Sequence, residues 1–311
     1  MAKKIVIAGG GPAGLACGIR LKQAGYDVTV HERGNYPLRK VCGEFLSPRG
    51  WARFKALGAG RYLDQPPAAL RRARFFADDQ HFADLRLEPP AFGLSRAALD
   101  MALARCFRSL GGDLREGSSF EGDGADVDAR GRPQEGGNWL GYKAYLPPSA
   151  ELLGQAGIDL LMLPLSHGYA GIARIEDGRL SVCLIAQAPV SLKELLHSHP
   201  LLAGAADHLV QHAAIAGFNL ASYPGSQRIG DASRVWPPVV GDGISRAILG
   251  GEAKARQIMA GETSPSEGGL DYRLALGLHQ AMLAPGRRRM LLRLCKLWPG
   301  LAEAAYRMTR A

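Results

Sequence analysis

The sequence predicts an α/β protein in which a Rossmann-like unit with a doubly wound, mostly parallel sheet is interleaved with a second unit built on a β-sheet and followed by C-terminal helices. Three observations predict it. Ile5-Val6-Ile7-Ala8 runs into Gly9-Gly10-Gly11-Pro12-Ala13-Gly14 and then into helical periodicity, the order of a buried strand, a tight turn and a helix. Strand-like segments with turn residues between them dominate the middle of the chain. From Leu270 onward the periodicity is helical again.

In chain order, the first strand ends at Ala8 and a helix runs from Pro12 to Gln23, with Gly25 as its stop. Tyr26 to His31 makes the second strand and leaves Glu32 at its C-terminal end. Gly9 supplies the tight turn, Gly11 a close backbone approach to a ligand, and Gly14 a close helix-on-sheet contact. Phosphates then meet the positive end of the helix, and the Glu32 carboxylate accepts hydrogen bonds from a ribose: a dinucleotide site. A helix follows from Arg49 to Leu57, strands over Ala73 to Ala77 and Phe82 to Leu87, and a strongly periodic helix over Ala97 to Leu110 with Ser95 as N-cap. Residues 117–137 read as a glycine- and acid-rich loop with one short strand around Val127. Trp139 to Leu146, Leu160 to Leu165, Tyr169 to Ile175 and Leu180 to Gln187 read as strands. Leu192 to His197 and Leu201 to Ala216 read as helices, Gln227 to Ala232 as a short strand entering a loop, and Asp242-Gly243-Ile244 opens a helix reaching Met259. The remainder is helical, broken at Pro285-Gly286 and Pro299-Gly300.

The chain has 311 residues, 47% of them apolar, enough for a full core. No apolar run approaches the roughly 18 residues of a membrane span, and Lys3-Lys4 ahead of Ile5 matches a first strand better than a secretion signal. Five scattered cysteines, none in a CxxC pair, suit a reducing, cytoplasmic compartment and argue against a zinc site. The net charge of +9 has its clusters at Arg71, Arg72 and Arg74 and at Arg287, Arg288, Arg289, Arg293 and Lys296. Without interleaved aromatics or a helix-turn-helix pattern, these point away from nucleic acid and toward an anionic cofactor or a membrane surface.

Further motifs follow in order. Cys42-Gly43-Glu44, Leu94-Ser95-Arg96 before a helix, Asp128-Ala129-Arg130-Gly131-Arg132, and Gly230-Asp231-Ala232 followed by Pro237, Gly241, Asp242 and Gly243 stand with the glycine turn and Glu32-Arg33. This ordered set, over about residues 3 to 260, resembles the FAD-dependent oxidoreductases of the p-hydroxybenzoate hydroxylase fold, and within them most nearly the geranylgeranyl reductase branch. The resemblance implies FAD bound by Gly9, Gly11, Pro12, Ala13, Gly14, Glu32, Arg33, Cys42, Gly43, Arg96, Gly230, Asp231, Pro237, Gly241, Gly243 and Ile244. Arg96 would reach the pyrophosphate, Asp231 the ribityl or ribose hydroxyls, and the helix from Ile244 the pyrimidine edge of the flavin. Cys42 and Glu44 would lie beside the isoalloxazine as candidate catalytic residues. A buried inert thiol and an exposed turn acid are their competing readings.

The chain departs from that family in three places. Only residues 116–127 fill a gap usually occupied by a longer strand pair, Asp128-Ala129-Arg130-Gly131 replaces an Asp-Gly signature, and Arg234 and bulky Trp236 stand where small residues are usual. The resemblance implies an FAD-binding unit from residues 1–65, 93–137 and 191–260, a substrate-binding sheet unit from 66–92 and 138–190, and a C-terminal helical segment over 261–311. NADH or NADPH would serve as transient electron donor, since a second glycine fingerprint is absent. Three uses follow: reduction of a carbon–carbon double bond in a prenyl or lipid-like small molecule, hydroxylation of an aromatic or quinone-type substrate, or flavin binding without turnover. The basic, apolar segment from Arg287 to Arg310 would give peripheral contact with the inner face of a membrane, and packing of its leucines on the core is the alternative.

Other constellations fail. His208 and His212 have Leu209 where a metalloprotease places its glutamate and no third ligand, and His197 and His199 flank a helix end, so no metal is expected. A Gly-x-Ser-x-Gly elbow, a GxxxxGK[ST] loop and the Trp-x-Trp-x-x-Pro signature of flavin halogenases are all absent.

Overall fold

The computed structural model describes residues 4–77, 80–122, 124–132, 136–148, 159–165, 168–198, 203–261, 269–298, 300, 303 and 306. His199, Pro200, Pro299 and Arg310 lie outside the described residues. The first half of the chain gives β1 (Lys4–Ala8), α1 (Pro12–Gln23), β2 (Asp27–His31), β3 (Phe45–Leu46), α2 (Pro48–Ala56), β4 (Ala68–Ala77), β5 (Gln80–Gly93), α3 (Arg96–Ser109), β6 (Asp113–Arg115) and β7 (Val127–Asp128). The second half gives β8 (Trp139–Leu146), β9 (Leu160–Leu165), β10 (Gly168–Arg174), β11 (Leu180–Ala186), α4 (Leu192–Ser198), β12 (Val210–Phe218), α5 (Gly243–Ala260), α6 (Gly269–Leu283) and α7 (Pro285–Leu297).

The smaller sheet is all parallel, in the order β6-β2-β1-β7. A buried parallel sheet needs apolar residues on both faces, and Ile5, Ile7, Val28 and Val30 meet α1, α3 and α5 in one core. Helices α1 and α5 touch backbone to backbone, because a Cβ on Gly251 would stand 2.2 Å from the Ala13 carbonyl oxygen. Buried Glu252 fastens the same corner, accepting from Arg20 Nε on α1 and Arg53 Nε on α2, each at 2.7 Å.

The larger sheet runs β12-β8-β11-β10-β9-β4-β5-β3, antiparallel except where β4 meets β9. Its central strands are apolar on both faces, and the strand period of two sorts them. Leu180, Val182 and Leu184 of β11, with Ile172, Leu161 and Leu163 from neighbouring strands, pack with Leu192 and Leu196 of α4. The intervening residues, Met162, Tyr169, Gly171, Cys183 and Ile185, turn to the opposite face and line a cavity.

Four local expectations need correction. The helix expected over Leu201 to Ala216 is instead a 3₁₀ turn, Ala203–His208, followed by β12. Alanine-rich helix propensity yields there to pairing with β8, from Val210↔Tyr145 to Phe218↔Trp139 with register shifts between Gln211 and Ala213 and between Ile215 and Phe218. His208 and His212 therefore share no helix. The strand expected over Gln227 to Ala232 is one bridge, Asp128↔Arg228, leading into a 3₁₀ turn at Gly230–Ala232. Strand β5 runs through Pro89-Pro90 rather than ending there, since the prolines fall where the register with β4 shifts between Leu70↔Ala91 and Arg72↔Arg86. Two short strands, β3 and β6, carry too little pattern to be read from sequence.

Candidate functional site

One cavity of about 680 Å³ lies between the two sheets, and most of the residues singled out from the sequence line it. The glycine turn forms one end. Gly9 has φ +107°, and a Cβ there would stand 2.2 Å from the Ala129 carbonyl oxygen, while a Cβ on Gly14 would stand 1.9 Å from the Gly9 oxygen. Those two glycines let β1, α1 and the strand end at Ala129 close on one another. Gly11 differs: its missing side chain would project toward the cavity, with Arg96 Nη2 nearest at 4.0 Å. Pro12 opens α1 and, with Ala13, lines the cavity, so the helix N-terminus looks into it.

Glu32 stands beside this turn, only 5% exposed. Its Oε2 accepts from the Gly10 N–H at 2.9 Å and its Oε1 from the Gly34 N–H at 3.0 Å. A carboxylate offers about four acceptor sites, so capacity for a ligand hydroxyl remains. Arg33 lines the cavity next to it. Arg96 begins α3 and pairs with fully buried Asp100 one turn on, Nη2 to Oδ2 at 2.8 Å. Burial works against the Arg96 charge, and Asp100, Cys42 and Asp231 together more than offset it, so the guanidinium stays charged.

Asp231 sits on the 3₁₀ turn that Gly230 enters with φ +59°, a Cβ there standing 2.9 Å from the Ala13 Cβ. Burial pushes the Asp231 carboxyl up, and Arg132 and Arg96 pull it back. Gly241, Gly243 and Ile244 line the wall where α5 begins; Gly241 has φ +60°. Pro237 lies behind that wall, and its neighbours Trp236 and Pro238 face the cavity. Trp236 is held rather than loose, with the Arg246 guanidinium 3.6 Å from its ring centroid and Tyr272 packed edge-on at 5.2 Å.

The Cys42-Gly43-Glu44 turn lines the cavity where the two sheets meet. Glu44 is no exposed turn acid: it is 1% exposed, with φ +57°. Its Oε1 accepts from Tyr145 Oη at 2.7 Å and from the Arg96 N–H at 2.9 Å, and its Oε2 lies 2.7 Å from Lys143 Nζ. Lys143 also donates to the Cys42 carbonyl and to Ser181 Oγ, both at 2.8 Å. Two strand residues thus clamp the turn at both ends. The Cys42 Sγ accepts from the Glu44 N–H at 3.4 Å and is half-buried on the cavity wall. Across the cavity, burial pushes the Cys183 thiol up to about 12.

Three contributors escaped the sequence reading. Lys143 and Tyr145 alternate on the site-facing side of β8, and a lysine inside an apolar strand was the available signal. Tyr306 reaches the cavity from the C-terminal segment, donating to the Pro89 carbonyl at 3.1 Å, and its sequence surroundings carry no mark of this. Asp128 pairs with Arg130 at 2.9 Å and lies 3.7 Å from Arg228 Nε, while Ala129 to Arg132 line the cavity. Among the described residues no cluster of His, Cys, Asp and Glu could hold a metal ion.

The residues present fit a dinucleotide: a glycine without side-chain obstruction at a helix N-terminus, a half-buried arginine beside it, and two carboxylates toward the same space. The comparisons agree with this geometry. A sequence profile described as an NAD(P)-binding Rossmann-like domain matches residues 7–38. Over nearly its whole length the chain is similar in structure to the flavin-dependent brominase Bmp2 (TM-score 0.72, 18% identity, 99% of this chain and 93% of the other). It is also similar to 2-methyl-3-hydroxypyridine-5-carboxylic acid oxygenase (TM-score 0.65, 17% identity, 100% and 94%). The fold is that of the flavoprotein hydroxylases. A flavoprotein/dehydrogenase from Cytophaga hutchinsonii shares it with a TM-score of 0.67, 16% identity, and coverage of 85% of this chain and 80% of that one.

In sequence, the chain is 40% identical over 76 residues to a menaquinone reductase of Mycolicibacterium smegmatis, a match covering 24% of this chain and 19% of the relative. A menaquinone reductase of Mycobacterium tuberculosis is 41% identical over 59 residues, 19% of this chain and 14% of the relative. The likeness therefore spans a small part of those curated relatives.

Proposed function

We propose that the chain is an FAD-dependent oxidoreductase that delivers reducing equivalents from NADH or NADPH to a carbon–carbon double bond of a prenyl or other lipid-like small molecule, as in the geranylgeranyl reductase branch. The carrying observation is that one cavity joins the dinucleotide end to an apolar floor, Leu85, Leu87, Leu160, Met162 and Ile185, on the larger sheet. The relatives named menaquinone reductase support a reductase.

FAD supplies hydride transfer when reduced. In this reading the N-terminus of α1 and Arg96 hold the pyrophosphate, Glu32 the adenosine ribose, Asp231 a ribityl or ribose hydroxyl, and Gly241, Gly243 and Ile244 the flavin edge. Glu44 acts as a positioning group, since its oxygens are taken by Tyr145, Arg96 and Lys143. It would hold Cys42 and Gly43 against the cavity beside the bound cofactor. The apolar floor would exclude water from a prenyl chain, with Trp236 and Tyr306 also on the cavity wall.

Anaerobic incubation of dithionite-reduced protein with a prenyl substrate tests this, with saturation of the double bond expected. A second reading, hydroxylation of an aromatic or quinone-type substrate, is favoured by the fold likeness to an oxygenase over the whole chain. NADPH oxidation that requires an aromatic compound and consumes oxygen in step with product would replace the first reading by the second.

A further inference from the structure

Helix α7 presents two chemically opposed faces. Arg288 and Leu292 are buried on the inner one, where Arg288 Nη1 donates to the Met282 carbonyl at 3.3 Å and lies 3.5 Å from the Leu165 carbonyl at the end of β9. The outer face carries large apolar side chains in the open: Met290 is 61% exposed, Leu297 70% and Trp298 62%. Met290, Arg293 and Leu297 follow at spacings of three and four, so they share one side of the helix, with Arg289 and Leu294 beside them. Exposed Arg287 and Lys296 flank this strip.

Charge decides what covers it. Between residues 272 and 302 the sequence holds Arg273, Arg287, Arg288, Arg289, Arg293 and Lys296 and no aspartate or glutamate. An apolar strip flanked along its own helix by long cationic side chains matches an anionic lipid surface: the rings and methylenes enter the acyl boundary, and the guanidinium and ammonium heads extend to the phosphates. A second copy of the chain would bring the same cations face to face. A nucleic acid would use the cations and leave Met290, Leu297 and Trp298 in water.

We propose that the outer face of α7 docks the protein on the surface of an anionic phospholipid membrane. Docking is peripheral, since no helix among the described residues is long and apolar enough to cross a membrane. The helix packs against β5 and is tied to β9, two of the strands that supply the cavity floor. Docking through α7 would therefore hold the floor strands next to the lipid. This inference goes beyond the proposed reaction and stands on the surface alone.

Flotation with vesicles tests it. The full chain is expected to float with phosphatidylcholine vesicles containing phosphatidylglycerol and to float poorly with phosphatidylcholine alone. Replacing Arg287, Arg293 and Lys296 together by alanine should weaken binding to the anionic vesicles by about fivefold for each side chain removed. Leu297→Ser with Trp298→Ser should abolish the binding that survives high salt. Both variants are expected to keep the parent's melting temperature and FAD uptake, which separates failure here from failure of the flavin reading. Absence of flotation with anionic vesicles, equal flotation of parent and variants, or retention on immobilised RNA without flotation would overturn the proposal.

Discussion

Glu32 ends β2 with its carboxylate between the N–H groups of Gly10 and Gly34, so one side chain shapes the glycine turn and faces the dinucleotide end of the cavity. Losing a charged acceptor of this kind costs about 2 kcal/mol, so Glu32→Ala should weaken FAD binding about thirtyfold by fluorescence titration. Unchanged affinity would remove Glu32 from the site. Lys143 makes a second prediction. It is 2% exposed and pairs with a carboxylate that is 1% exposed, so Lys143→Met leaves the Glu44 carboxylate in the interior without its cation. Breaking such a pair from one side costs about 3–5 kcal/mol, read by denaturant unfolding, and adding Glu44→Gln should recover most of it. A single variant as stable as the parent would show that the clamp on the Cys42 turn contributes nothing.

Among the elements, strand–turn–helix from β1 to β2 was legible because its signals are local: an apolar run, Gly9 at positive φ, Pro12 at the first helical position and Gly25 past the end. Strand β12 was not, because its conformation is dictated by β8, which lies far away in sequence. The same distinction separates two glycines. Gly11→Ala meets only Arg96 Nη2, at a van der Waals distance of 4.0 Å, and should fold normally while blocking close approach of a pyrophosphate. Gly14→Ala meets the Gly9 oxygen at 1.9 Å and should cost both stability and FAD binding. Equal effects of the two on melting temperature would contradict this division. Helix α6 carries a pH signature. His279 is 2% exposed between Trp139 and Tyr169, and burial pushes its pKa down from 6.5 to about 4. Between those values the unfolded chain binds a proton that the folded chain refuses. Stability is therefore complete above about pH 6.5 and falls on acidification toward pH 4, by about 3 kcal/mol. His279→Leu should flatten that slope in unfolding curves collected across this range, and an unaltered slope would assign it to other groups.

At the scale of the molecule, the cavity exists because distant stretches meet: the turn at Gly11, the clamp at Cys42 to Glu44, Arg96, the loop at Ala129 to Arg132, Asp231 and the start of α5. That these motifs meet around one cavity was legible from sequence, since each is a short motif placed at the end of a strand or the start of a helix. The sheet floor was less so. Which residues of β9, β10 and β11 face inward depends on register across the sheet, and Tyr306 depends on where the C-terminal segment returns. The central claim is that these pieces grip a single flavin. It is tested most directly by the visible absorbance spectrum of the purified protein after incubation with FAD and removal of free cofactor. One equivalent of oxidised flavin retained by the parent, and lost from a folded Asp231→Ala/Arg96→Ala variant, is the predicted result. A colourless parent that takes up no FAD would contradict the account.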